Sequence, residues 1–489
     1  MTYPPQLSRA GQAPAREQLT PREQRRREKE ALRSGPLQAR IGSGAALAAT
    51  TVIIVALTGW GAWHVVSLSH EVRGEGHDLA FAFAATFALV AWQLSFGYLE
   101  RPRRATPRQQ AQLDKLRIVV AVPVYNEDDD ALLGGLRSLL YQTRRPSEIF
   151  VVDDGSTVGD YTAVRQRFGW EADQLGQRWR WVRQENGGKR MAQARVFSAT
   201  VGEADAYLTV DSDGILDPHA LEELVKPMAD PLVTSVAGIV LATNNKQTLL
   251  ARFTDVWFVT SQLVARSALS LMGSVLVNSG PIALYRAEVI HAYMHSYIQE
   301  EFANRHVSFS DDSMLTLYAK LWHDGKARTV QQCSAFAFSL MPFKFNNHRR
   351  QYTRWMRGST IRSLWRFRYL PVTGYAYWAH LANWTQVFMS LAVTSAVVLT
   401  HGTGTALTLL PVMIGVPIVL GYAQALKYLT IWRSDESRWD RFLNWSTMPI
   451  AVLWSMTVLR FLRWYGIATC WKTGWGTRQT VEVRMADAA

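Results

Sequence analysis

Two aspartates one position apart, Asp211 and Asp213, close an apolar run that reads Ala206-Tyr207-Leu208-Thr209-Val210. Carboxylates placed so at a strand terminus supply the hard oxygen ligands that suit Mg2+ or Mn2+ set against a diphosphate. Such a metal neutralises a departing diphosphate without a protein acid. An isolated pair of this kind is common at turns, so its meaning depends on company. Val122-Pro123-Val124 runs into Tyr125-Asn126-Glu127, where a ring could stack on a base and a carboxylate could accept from a ribose hydroxyl. Val152 runs into Asp153-Asp154-Gly155-Ser156, where a carboxylate could accept the N3–H of a uracil and glycine permits close backbone approach. Lys189 and Arg190 follow Gly187-Gly188 and could neutralise a diphosphate. Asp311-Asp312 precede a helical stretch, Ser313 to Trp322, and fit either helix capping or a general base that takes a proton from a hydroxyl. Each cluster alone reads equally well as a solvated turn. Their order along the chain does not.

The elements that must carry these groups are legible. Arg117 to Val122, Glu148 to Val152 and Ala206 to Val210 are β-branched runs, separated by helical stretches at Leu132 to Tyr141 and Ala192 to Thr200. Strand–helix alternation predicts an α/β domain around an open, parallel-rich sheet. Ligands of such sheets sit beyond the carboxyl ends of the strands, which is where Glu127, Asp153, Asp154, Asp211 and Asp213 fall. Glycine and proline in Asn278-Ser279-Gly280-Pro281-Ile282 make a tight turn, structural or bordering a pocket.

At 489 residues with a net charge of +13, the chain exceeds one soluble domain. Ile41 to Leu68, Leu79 to Leu99, Tyr375 to Leu399, Ala406 to Trp432 and Phe442 to Gly466 are apolar runs long enough to cross a hydrocarbon core of about 30 Å. Arginines at 22, 25, 26, 27, 33 and 40 precede the first run, and those at 101, 103, 104 and 108 follow the second. This positive-inside pattern predicts a membrane hairpin with both ends cytoplasmic and argues against nucleic acid as the partner of the charge. Cys333 and Cys470 are the sole cysteines, which excludes a disulfide framework or a zinc finger. The expected organisation is a disordered basic tail at 1–40, a transmembrane hairpin at 41–100, and a cytoplasmic catalytic domain at 115–342. Interfacial helices follow at 343–370, where Trp355, Ile361, Leu364, Trp365 and Phe367 alternate with arginines, then a transmembrane region at 371–470 and a tail at 471–489.

The order of these pieces resembles membrane-bound family 2 glycosyltransferases, and within them the hyaluronan synthase and chitin synthase group, over roughly residues 117–478. The resemblance implies a GT-A fold, a UDP-sugar donor and a growing polysaccharide at a plasma membrane. Tyr125, Glu127, Asp153 and Asp154 would then bind the nucleotide. Lys189 and Arg190 would meet the diphosphate or sugar, and Asp211 and Asp213 the nucleotide and Mg2+ or Mn2+. Asp312, beside Asp311, would be the base, and Gln351, Arg354 and Trp355 the acceptor platform of processive members. Trp475 and Arg478 resemble a motif that closes over the donor, which needs a cytoplasmic C-terminus. Five spans would leave that terminus outside, so Pro449 is expected to turn the last apolar run back or into the interface. The chain departs from the group in two places. Ser313 stands where arginine follows the acidic pair, and Val277-Asn278 stand where cysteine precedes Ser-Gly-Pro. A chitooligosaccharide synthase, a non-processive transferase acting on a lipid or short acceptor, and a transporter or scaffold that only binds nucleotide sugar are the competing expectations.

Overall fold

The computed structural model describes residues 35–42, part of the stretch between 45 and 63, residue 88 and residues 90–474. Its centre is an eight-stranded sheet. The strands are β1 (Ile118–Val124), β2 (Glu148–Asp153), β3 (Trp179–Arg183), β4 (Ala206–Thr209), β5 (Ile215–Leu216), β6 (Val233–Ala242), β7 (Ala283–Arg286) and β8 (Arg328–Ser339). Their spatial order is β3-β2-β1-β4-β7-β6-β8-β5. The first four are parallel, as the strand–helix alternation predicts. The whole sheet is mixed, because β7 runs antiparallel to both β4 and β6, and β5 antiparallel to β8. The parallel expectation fails there for a local reason: the short apolar run of β7 reads the same in either direction, and only its neighbours fix its sense.

Period-two alternation divides β1 between two cores. Val120, Val122 and Val124 pack with Leu132, Leu136 and Phe168 on one face, while Val119 and Ala121 pack with Val196, Phe197 and Tyr285 on the other. α1 (Asp129–Leu140) supplies partners on the first face and α2 (Lys189–Ala199) on the second, where Met314 and Leu315 of α4 (Asp311–Leu321) join the same cluster. Full burial of each such aliphatic or aromatic side chain contributes about 1.5–3 kcal/mol, so the strand ends are held on a stiff base. α3 (Leu249–Ser261) covers a third cluster, in which Ile239, Leu241 and Phe338 meet Met448, Ala451 and Val452 from the C-terminal helices.

The C-terminal part differs from the expected spans. The run Tyr375 to Leu399 and the part of Ala406 to Trp432 up to Ala425 lie in one helix, α6 (Tyr375–Ala425), after the preceding α5 (Phe345–Tyr369), and the rest of the second run is a 3-10 turn (Leu426–Thr430) leading into a strand. Gly402 and Gly404 between the runs each cost a helix only about 1 kcal/mol, too little to end it. Among the described residues, Arg438–Ala468 is the stretch long and apolar enough to cross a membrane, with a mean hydropathy of 1.3 over an 18-residue window within it. It is segmented into α7 (Arg438–Ser446), α8 (Met448–Met456) and α9 (Val458–Ala468), with Pro449 in the first turn of α8, where its missing N–H costs nothing. Ala39–Ile41, on the boundary between the expected tail and first span, is a strand paired antiparallel with Ile431–Arg433. Most of the first two expected spans, and Trp475 and Arg478, lie outside the described residues.

Candidate active site

Register aligns the polar ends of the strands. Val124 sits opposite Asp153, and the Asp154 N–H donates to the Val124 carbonyl at 2.8 Å, so Tyr125 and Glu127 emerge beside the Asp153-Asp154 pair. Asp153 is buried, accepting from the Ser156 N–H at 2.9 Å and pairing with Arg183 at 3.1 Å. Asp154 turns away to the next loop, where its carboxylate accepts from Gln184 at 2.8 Å and from the N–H groups of Gly187 and Gly188 at 3.0 and 2.7 Å. Burial nevertheless pushes its pKa up. Asp154 therefore shapes the glycine loop that launches α2. Glu127 accepts from the Ser212 hydroxyl at 2.6 Å, which ties the first strand end to the Asp211-Ser212-Asp213 turn.

Lys189, at the start of α2, is the node of the site. Its ammonium lies 2.6 Å from Asp211 and 3.0 Å from Asp311. Burial opposes its charge, but Asp211 and Asp311 outweigh burial and hold the pKa above the ordinary lysine value. Arg190 goes elsewhere. It is buried, paired with Glu300 at 2.6 Å, and donates to the Phe309 carbonyl at 2.7 Å. Sequence placed Lys189 and Arg190 as a pair. The structure sends one to the carboxylates and the other into the core.

Asp311 and Asp312 are the first two residues of α4, and the residue before them, Ser310, has a left-handed backbone with φ 58° and makes no side-chain cap. The capping expectation for the aspartates is thus not met: both lie inside the helix. Asp311 is buried against Lys189 and Gln193. Asp312 faces a cavity of about 670 Å3. Burial and the neighbouring Asp311 push its pKa up to about 7. Its Oδ1 accepts from the Ser313 N–H at 2.7 Å, the position where arginine was missed. Asn278 is wired to the same residue: its N–H donates to the Thr316 hydroxyl at 3.1 Å, which donates to the Asp312 carbonyl at 2.7 Å.

The cavity runs from Asp211, Gly280 and Asp312 to α5, where Gln351 and Trp355 line it one turn apart. Its size is that of an ordinary ligand site. Trp355 stacks on Phe258 with centroids 5.8 Å apart. Arg354, on the same helix, is not among the lining residues. Gly280 brings its turn onto the Asp211 carboxylate so closely that a Cβ there would lie 3.1 Å from Oδ2. Gly358 does the same for α5, since its Cβ would lie 1.8 Å from the Ser310 hydroxyl. Arg266, Arg366, Arg460 and Arg463 also line the cavity. The last two were the readable signal that sequence reasoning passed over: two arginines one turn apart inside an otherwise apolar block. Trp384 also lines the cavity, whereas Trp378 and Trp439 are exposed.

Asp211 and Asp213 offer oxygen donors on one turn, and Asp213 accepts from the Ser339 hydroxyl at 3.2 Å. Among the described residues no cluster of three histidine, cysteine or acidic ligands exists. A dedicated metal cage is therefore not built here, but two carboxylates fit a hard cation whose remaining ligands come from phosphates and water.

A mixed sheet flanked by helices, with an acidic turn after the fourth strand and a second acidic pair at a helix start, defines a GT-A glycosyltransferase fold. A mannosyltransferase from Pyrobaculum calidifontis, solved in complex with GDP-Man and Mn2+, superposes with a TM-score of 0.50 at 18% identity, covering 77% of this chain and 98% of that one. The sequence matches the description of Glycosyl transferase family 2 over residues 119–294 and of Glycosyl transferase family group 2 over residues 208–476. A hyaluronan synthase from Streptococcus pyogenes is 31% identical over 401 residues, 81% of this chain and 90% of the relative. An N-acetylglucosaminyltransferase from Azorhizobium caulinodans is 29% identical over 365 residues, 71% of this chain and 86% of the relative. The chain belongs to glycosyltransferase family 2.

Proposed function

We propose that the protein is an inverting polysaccharide synthase that uses UDP-activated sugars and extends its product processively across the membrane. The observation that carries this is the Lys189 bridge, which joins Asp211 to the Asp311–Asp312 pair at the end of a cavity lined by Trp355. Tyr125, Glu127 and Asp153 would hold the nucleotide, Asp154 the glycine loop, and Lys189 the diphosphate. Trp475 and Arg478 would close over the donor. Asp211 and Asp213 would hold Mg2+ or Mn2+, which neutralises charge on the leaving diphosphate when bound.

Asp312 takes the proton of the acceptor hydroxyl, the oxygen forms a bond to the anomeric carbon, and the bond from that carbon to the UDP oxygen breaks with its electrons leaving on UDP. Attack opposite the departing UDP inverts the anomeric centre. A carboxylate whose pKa lies near 7 suits this step, since at neutral pH about half of it is ionised and the ionised form is a stronger base than an ordinary carboxylate. Trp355 gives the chain end a flat apolar face, with Gln351 beside it, and the product leaves between the C-terminal helices. The catalytic domain then faces the cytoplasm, where the donors are.

The relative from Azorhizobium favours a second product class, an N-acetylglucosamine oligomer. Purified protein given UDP-N-acetylglucosamine alone, UDP-glucuronate alone, and both together decides the matter. Polymer only with both indicates a hyaluronan-like copolymer, and polymer with the first donor alone indicates a chitin-like one. UDP release without any extended product would overturn processive synthesis.

A further inference from the structure

Glu300 sits outside every motif read from the sequence, yet it is buried and holds two arginines. Its Oε2 lies 2.6 Å from Arg190 and accepts from Arg362 at 2.7 Å. Its Oε1 is engaged by Arg362 and accepts from the Trp365 indole at 3.1 Å. Both guanidinium groups then converge on one backbone atom, the Phe309 carbonyl, at 2.7 Å from Arg190 and 3.5 Å from Arg362.

Each arm of this cluster belongs to a different part of the site. Arg190 follows Lys189 at the start of α2, so anchoring it fixes where the Lys189 ammonium originates. Phe309 precedes the left-handed Ser310 and the acidic pair. Arg362 lies two turns along α5 from Trp355, and between them Gly358 rests on Ser310. Two cations on one buried anion are a poor source of stability, because desolvation offsets most of the attraction. What the cluster does supply is a fixed distance between the start of α2, the segment that leads into α4, and α5.

We infer that Glu300 is a positioning residue for glycosyl transfer: through Arg190 and Arg362 it holds the Phe309 carbonyl, and so sets Asp312 against both Lys189 and the helix that presents Trp355. This rests on the assignment of Asp312 as the base. Misplacement of reacting groups by an ångström can cost about a hundredfold in rate, whereas donor contacts on the sheet ends do not pass through Glu300.

The test uses the full chain in detergent, with UDP-N-acetylglucosamine and UDP-glucuronate together as donors, UDP release as the rate, UDP as the binding probe and a thermal unfolding curve. Glu300→Gln is expected to lower kcat by about a hundredfold, with KM for the donors and UDP affinity, to which Lys189 contributes, weakened by no more than about tenfold, and Glu300→Asp, which restores the charge, to recover at least about tenfold in kcat. Equal losses in kcat and UDP affinity, or wild-type kcat at a lowered unfolding temperature, would overturn the inference. Where Glu300→Gln does not fold, Trp365→Phe removes the indole donor without altering charge. A kcat loss of about threefold or more at constant KM supports positioning, and an unchanged kcat refutes it. Asp312→Asn in parallel separates the two claims: if that variant remains active the base assignment has failed, and if it is dead while Glu300→Gln turns over normally only the role of Glu300 has.

Discussion

The sheet ends and the helical wall of the cavity are built on different plans. At the sheet ends, polar side chains find partners within their own or an adjacent turn: Asp153 with Ser156, Asp154 with Gly187 and Gly188, Glu127 with Ser212. On the helical wall the contacts are packing contacts of separate helices, such as Phe258 against Trp355 and Gly358 against Ser310. Lys189 and the acidic pair lie where the two plans meet. On the proposed reading, a donor that changes little between rounds would be held by hydrogen-bonded turns, and a product that must move would be bordered by surfaces that separate helices can adjust.

Substitutions that act on one side alone sharpen this contrast. Asp213→Ala, at the sheet end, should abolish the dependence of turnover on Mg2+ or Mn2+ together with activity, a loss of about a thousandfold. Normal turnover in excess chelator would show that the metal assignment is wrong. Gly358→Ala, on the helical wall, forces a methyl group into Ser310 and should lower kcat by about tenfold while UDP affinity holds within about threefold, with about 1–3 kcal/mol of destabilisation in a thermal curve. A variant with wild-type kcat would detach α5 from the acidic pair. Trp355→Ala should leave UDP binding near wild type and shorten the product several-fold on a gel. Full-length polymer from a merely destabilised variant would return Trp355 to a packing role against Phe258. The smallest effect is on pH. Asp312 must be ionised to accept a proton, so kcat should be level above about 7 and fall by up to about tenfold per pH unit below it. A profile flat down to pH 5 would place the base elsewhere.

The same division explains what the sequence revealed. The strands that end in Glu127, Asp153 and Asp211 announce themselves by local periodicity, and their common topological position marks them as one site before any coordinates are seen. Asp311 and Asp312 were found as a pair, but helix capping and general-base chemistry use the same residue, and only the observed left-handed Ser310 and the cavity separate them. Arg190 was misplaced relative to Lys189 because adjacent residues on a helix point about 100° apart, and sequence does not say which one meets the core. Glu300 was silent: one of two adjacent glutamates just past a helix end carries no signal until Arg190 and Arg362 arrive from distant segments. The single long helix Tyr375–Ala425 was hidden by hydropathy, which records where apolar residues cease and not where the backbone bends.

Asp312 joins the two plans, and Asp312→Asn tests that most directly when UDP release and UDP affinity are measured on the same preparation. Release should fall by about a thousandfold while affinity for UDP stays within about threefold, because in the proposed mechanism the carboxylate would act on the acceptor hydroxyl and not on the nucleotide. A variant that keeps more than about a tenth of the wild-type rate would contradict this and move the base to Asp311 or beyond the acidic pair.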